Sequence, residues 1–105
     1  MPRIAAAGQD GEIAADAENA RSFTFFEITG DGRINGMFEE SVCGNEEEII
    51  THFLAARNVS VLVCGNIREP LRRKLSESGI FCAEGYGGGV IQAVGDYLMK
   101  QISNH

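Results

Sequence analysis

With 105 residues, 44% of them hydrophobic and 23% charged, the chain has the make-up of a single folded domain, residues 1–105, and is too short for two ordinary cores. Nine basic against fifteen acidic side chains leave a net charge of −6, which argues against a general phosphate-backbone binder, so nucleic acid is not an expected partner. The apolar runs are strand-sized, short of the ~20 residues a bilayer crossing needs, and the first residues lack the basic-then-apolar layout of a secretion signal; no membrane partner is expected, and the location is expected to be cytoplasmic.

Three cysteines, an odd number without an export signal, suit a reducing compartment in which thiols stay free or bind metal. The charge is uneven: residues 1–50 hold eleven acidic and three basic side chains, residues 51–105 four and six. Part of the acidic excess is Glu46, Glu47 and Glu48, expected in the first turn of a helix, where carboxylates complement the helix dipole.

Arg3 to Ala7 predicts a short strand that delivers the chain into a polar loop, Gly8 to Ser22, in which no period stands out. Phe23 to Thr29 is aromatic and β-branched, Gly30-Asp31-Gly32 is a turn, and Arg33 to Val42 alternates loosely, which predicts a β-hairpin. Asn45 is positioned to cap a helix with Glu48 three residues on, and Ile49, Ile50, Phe53 and Leu54 form its apolar stripe up to about Asn58. Val59 to Val63 predicts a buried strand. Asn66, Glu69, Leu71 and Leu75 then mark a second helix, with Pro70 in its first turn and Gly79 as its stop. Ile80 to Ala83 is a last strand, and Val90, Ile91, Val94, Leu98 and Ile102 carry a closing helix.

Val42-Cys43-Gly44-Asn45 reappears twenty-one residues later as Val63-Cys64-Gly65-Asn66. Both are strand-to-helix junctions, and in open α/β sheets such junctions gather on the carboxyl edge where ligands bind. A thiolate is a soft ligand for iron, copper(I), zinc or iron-sulfur clusters, and a helix start favours its ionised form. Cys43, Cys64 and Cys82 are therefore the candidate metal ligands, with Gly44, Asn45, Gly65 and Asn66 beside them. The structural alternative is that each cysteine is a small core hydrophobe and that the repeat reflects one capping solution used twice. There is no Cys-x-x-Cys pair, His52 sits on the flank of the first helix, and His105 is terminal. Gly85-Tyr86-Gly87-Gly88-Gly89 leads into the closing helix; Gly87 and Gly88 are candidate backbone contacts for an anion, or else members of a flexible turn.

The order and spacing of several segments resemble the small dinitrogenase iron-molybdenum cofactor biosynthesis family, which includes cofactor carriers and the C-terminal domain of a cofactor-assembly radical enzyme. These segments are Ile4-Ala5-Ala6-Ala7, Asn19-Ala20-Arg21-Ser22-Phe23, Phe26-Glu27-Ile28 with its hairpin, Val59 to Gly65, Leu71 to Gly79 with Ile80, and Gly88 before the closing helix. The resemblance implies an α/β, ribonuclease H-like fold: a five-stranded mixed sheet in order 3-2-1-4-5, strand two antiparallel, with three helices. It also implies a non-enzymatic binder or carrier of an iron-sulfur or molybdenum-iron-sulfur cluster, with metallocluster donor and acceptor proteins as partners. Where many members carry histidine or another polar group after the third strand, this sequence has Cys43-Gly44-Asn45.

That strand order puts the ends of strands three and four about 14 Å apart, so Cys43 and Cys64 would not share one ion but would flank a large cluster or join two subunits across an interface, and Cys64 with Cys82 is the better mononuclear pair. Two other classes stand beside the carrier: a regulatory or partner-binding domain with redox-sensitive or packing cysteines, and a metal-dependent nuclease resting on Asp10, Asp16, Glu18 and Glu84. The nuclease is disfavoured because the first strand carries no carboxylate and the fourth ends in cysteine.

Overall fold

The computed structural model describes residues 3–42, 44 and 46–103. The chain forms β1 (Arg3–Gln9), β2 (Glu12–Ile13), a 3-10 turn (Ala17–Asn19), β3 (Ser22–Ile28), β4 (Ile34–Ser41), α1 (Glu47–Ala55), β5 (Val61–Val63), α2 (Glu69–Glu77), β6 (Phe81–Ala83) and α3 (Val90–Ser103). The main path of the sheet is β4-β3-β1-β5-β6, and β2 pairs with β1 off that path. β3 runs antiparallel to both β1 and β4, while β5 is parallel to β1 and β6.

The expected mixed sheet and three helices are present, with the expected succession of main strands. The sheet has six strands, however, not five. The extra one, β2, comes from the segment expected to be structureless. Gly8 pairs with Ile13 and Gln9 with Glu12 through a turn in which Asp10 and Gly11 both take positive φ. Beyond it Ala14, Ala17 and Ala20 are buried, and their spacing of three carries the chain along the sheet edge with a methyl inward at each step. A period made of alanines is weak in sequence, because small side chains contribute little to any apolar contrast.

The two sheet faces are covered unequally. Odd-numbered residues of β1 and β3, among them Ala5, Ala7, Phe23 and Phe25, point to the α1/α2 side, where they meet Ile50, Leu54, Leu71 and Leu75 in the larger core. Phe25 stacks on Phe38 with ring centroids 5.0 Å apart, and Phe53 of α1 tilts against Phe23 at 5.7 Å. Each fully buried side chain of this size contributes about 1.5–3 kcal/mol relative to exposure. The opposite core holds Ile4, Ala6, Phe26, Ile28 and Val63 under Val90, Ala93, Val94 and Tyr97 of the single helix α3.

Both short helices end in the same way. Asn58 and Gly79 take positive φ, Val59 N–H donates to Leu54 O at 3.3 Å, and Ile80 N–H donates to Leu75 O at 2.9 Å. These bonds satisfy carbonyls of the last turn and turn the chain into β5 and β6. The helix starts differ from expectation. The N-cap positions fall on Glu46 and Arg68, neither with a side-chain cap bond; Asn66 lies outside α2, and Asn45 lies outside the described residues. Arg68 N–H is instead taken by the Glu18 carboxylate, fifty residues away, so a tertiary contact does what a local cap was expected to do.

Arg57, just after α1, ties that helix to the edge strand. Its Nε donates to Glu40 Oε2 at 2.7 Å, its Nη1 to Phe53 O at 2.9 Å, and its guanidinium lies 3.7 Å from the Phe53 ring centroid. The hydrogen bond from Arg57 holds the Glu40 carboxyl below its ordinary range. A lowered folded-state pKa gives stability that is present above the unfolded value and lost as pH falls through the folded one. Glu40→Gln is accordingly expected to reduce stability at pH 7 slightly and to flatten its decline on acidification; pH-dependent urea denaturation reads the difference, and parallel profiles for both proteins would contradict it.

Candidate functional site

β1, β4, β5 and β6 all run in one direction, so their carboxyl ends lie on one edge of the sheet. Three segments meet there: 10–20 after β1, 64–68 after β5, and 84–89 after β6. They are sewn together by backbone bonds. Cys64 N–H donates to Ala83 O, Gly85 N–H to Gly65 O and Tyr86 N–H to Cys64 O on one side; Asn66 N–H donates to Ala15 O and Ala17 N–H to Asn66 O on the other. Residues 64–66 therefore prolong β5 between two flanking loops, and this backbone pairing accounts for Asn66 more directly than a cap does.

Gly65, expected beside the candidate ligands, is approached instead by the chain itself: a Cβ there would lie 2.9 Å from Ala15 O, 3.1 Å from Ala14 O and 3.4 Å from Tyr86 O. Its counterpart Gly44 would meet only the flexible end of Ile49, at 3.0 Å. The two halves of the sequence repeat thus sit in different surroundings. Cys43 and Asn45 of the first half lie outside the described residues.

Cys64 is completely enclosed, at 0% exposure, within the α1/α2-side core. Its Sγ lies 3.7 Å from Ala83 O, to which the thiol donates, and burial pushes the thiol from an ordinary 9.0 up to about 12. Cys82 stands on the same face, since it pairs in register with Leu62, two residues before Cys64. It is half-buried and, again chiefly through burial, raised to about 11. Both are neutral thiols near pH 7, the opposite of what a helix start was expected to produce, because at 64 the helix begins five residues later and the surroundings are apolar. Among the described residues no group of three or more His, Cys, Asp and Glu side chains is arranged to hold a metal ion. As placed, Cys64 and Cys82 do not fit a thiolate cage.

A cavity of about 650 Å³ opens where the starts of α1 and α2 meet the 3-10 turn. Asp16, Glu18, Glu46, Glu47 and Glu48 line it together with Asn19, Arg68 and Lys74. The two cations were not legible as site residues, since nothing in the local pattern separates them from other exposed helix positions. Asp16 and Glu18 meet here, but Asp10 is in the β1–β2 turn and Glu84 is paired with Arg72 at 2.7 Å, so the four acids named for a nuclease are not assembled. His52 is exposed on α1, and His105 lies outside the described residues.

On the α3 side of the same edge, the glycine run is held by Ile13 N–H donating to Gly88 O at 2.8 Å and Val90 N–H to Gly11 O at 3.1 Å. Among the described residues, the amides of Gly87, Gly88 and Gly89 donate to no protein acceptor, and Gly87 and Gly88 are exposed. The run therefore leaves N–H groups without a protein acceptor, two of them on exposed residues, beside the start of α3.

Comparison with known proteins fits this frame. The dinitrogenase iron-molybdenum cofactor family model matches residues 1–100. The apo form of the orange protein from Desulfovibrio gigas is 22% identical, with a TM-score of 0.76 over 96% of this chain and 90% of its own. A candidate dinitrogenase from Methanocaldococcus jannaschii is 18% identical, with a TM-score of 0.73 over 93% and 88%. A third solved structure, without a functional description, is 16% identical but reaches a TM-score of 0.86 over 93% and 89%. No curated protein matches the chain. Identities this low speak for the fold, and the family rests on the match along nearly the whole sequence: the chain belongs to the dinitrogenase iron-molybdenum cofactor family.

Proposed function

We propose that the protein is a non-enzymatic binding module that carries an iron-sulfur or molybdenum-iron-sulfur cluster as cargo between metallocluster donor and acceptor proteins, on a ribonuclease H-like scaffold. The observation that carries this reading is the family match over residues 1–100. The carboxyl edge supports it in a specific way. Metal-sulfur clusters present anionic sulfur, and exposed amides such as those of Gly87 and Gly88 donate to anions without needing a charged side chain. Gly65 and Asn66 form the framework of the same edge, and Gly44 and Asn45 are proposed to complete the cargo site after β4. Of the cysteines, Cys43 remains the proposed thiolate ligand, while the enclosed Cys64 joins it only if the core around it opens, and the half-buried Cys82 only beside Cys64.

Anaerobic reconstitution with iron, sulfide and molybdate tests the reading by visible absorbance and metal analysis. Stoichiometric loading of the wild type is expected, falling at least tenfold in Cys43→Ser and unchanged in Cys64→Ala and Cys82→Ala. No loading of the wild type overturns the carrier. Equal loading of all three variants overturns the cysteine assignment alone.

The alternative, a regulatory or partner-binding domain with redox-sensitive or packing cysteines, is favoured by one observation, the enclosure of Cys64. Its prediction is that no cluster loads and that thiol chemistry, if any, is confined to the other two cysteines.

A further inference from the structure

The α1/α2 face of the sheet is covered by two helices, the opposite face by α3 alone. α3 lies over β1, β2 and β5 and also covers Phe26 and Ile28 of β3, which leaves the edge strand β4 as the part of that face without a helix. A groove of about 290 Å³ runs there between β4 and the first turns of α3. Thr24 of β3 contributes to it with Met37 and Glu39 of β4, Gly11, and Val90 and Ile91 of α3.

The groove is apolar where it is most open. Met37 is 54% exposed and Ile91 58%, both large side chains that burial against a partner would stabilise. Ile91, Gly95 and Met99 follow one another at intervals of four on α3, so the apolar stripe continues along the helix with a glycine at its middle. Nothing fills the space above Gly95, where an added Cβ would meet no atom within 4 Å. An outward stripe at intervals of four with a bare glycine at its middle is a surface that a second helix can pack against, its side chains seated over the glycine.

Charge decides what kind of helix. Among the described residues Glu39 is the only charged one that lines the groove, and Gly11 is flanked in the chain by the exposed Asp10 and Glu12. No basic residue lines it among the described residues. A second copy of a chain with net charge −6 would bring acidic rims together, which costs free energy, whereas a basic helix would find opposite charges around an apolar floor. We propose that this groove docks an amphipathic helix of a partner protein, with leucine- or methionine-type side chains against Thr24, Met37 and Ile91 and lysine or arginine beside Glu39, Asp10 and Glu12. The groove reaches Gly89 at the end of the glycine run, while Gly87 and Gly88 lie outside its lining.

The test uses the full chain and a synthetic helical peptide of about four turns, leucine along one stripe and lysine on the flanks, labelled for fluorescence anisotropy. A peptide of identical composition with the stripe scrambled is the control for non-specific attraction. Saturable binding at 0.15 M salt is expected, weakened at least tenfold by the double substitution Met37→Ser and Ile91→Ser and by scrambling, and unaffected by Phe81→Ser on the far edge strand. Amide shifts in labelled protein are expected at Thr24, Met37, Glu39, Val90 and Ile91. No saturable binding, equal binding of the scrambled peptide, or shifts centred on the acidic cavity at Glu46–Glu48 would overturn the proposal. So would a dimer in sedimentation that Met37→Ser dissolves, since the groove would then belong to a second copy. Circular dichroism of the double variant, expected to match the wild type because both side chains are exposed, separates lost docking from lost folding.

Discussion

Replacing Gly65 by alanine is expected to lower stability by about 1–3 kcal/mol, the cost of overpacking a site that cannot relax. The melting midpoint of a domain of this size should fall by roughly 5–20 °C. The added methyl would lie 2.9 Å from Ala15 O and 3.1 Å from Ala14 O, and both atoms belong to backbone held by the Asn66–Ala15 and Ala17–Asn66 hydrogen bonds. A flexible side chain would swing away, but here whole segments must separate, and with them the pairing that closes the carboxyl edge. Gly87→Ala is the matching control: no atom lies within 4 Å of its added Cβ, and its φ is not in the left-handed region, so a change within about 0.5 kcal/mol is expected. Calorimetry of the two variants checks both statements. Equal midpoints would mean that the segment 10–20 is not held against β5.

Cys64 is expected to react with thiol reagents at least ~1000-fold more slowly in the native protein than in denaturant at the same pH. The rise of its thiol from 9.0 to about 12 lowers the thiolate fraction by about three powers of ten, before any allowance for its 0% exposure. Cys82, half-buried and raised to about 11, should react at an intermediate rate. Mass-resolved labelling with iodoacetamide separates the residues. Fast native labelling of Cys64 would show that the core around it opens readily and would restore it as a cluster ligand. The same shift has a pH signature. A thiol whose folded pKa is raised keeps its contribution below the unfolded value and loses it as pH climbs toward the folded one, so native stability should decline between about pH 9 and 12. Cys64→Ala should soften that decline.

Much of the architecture was legible locally. The aromatic and β-branched run before Gly30-Asp31-Gly32 announced the hairpin, and the stripe Ile50-Leu54 announced a buried helix face. Gly79 marked a stop because few residues other than glycine take positive φ without strain. Asn58, the nearest residue to the expected end of α1, ends it by the same geometry. Each of these signals depends only on neighbours in sequence. The cap expectations at Asn45 and Asn66 depended on the same logic, and at Asn66 it was overridden. The backbone of Asn66 is bonded to Ala15 and Ala17, and the donor at Arg68 is satisfied by Glu18.

What the sequence determined by itself is the alternation of strands and helices, the placement of Cys64 at a strand end, and the resemblance that the family match confirms. What only the tertiary structure decided is whether that strand end is open. Strand alternation assigns Cys64 a face but says nothing of what lies across it; the core assembled there from α1, α2 and the alanines at 14, 17 and 20, too small to signal themselves, makes an expected thiolate an enclosed thiol. Exposure is a property of the partner segment, not of the residue, and that is why Gly65 is an element of packing here while Gly87 and Gly88 keep their amides free.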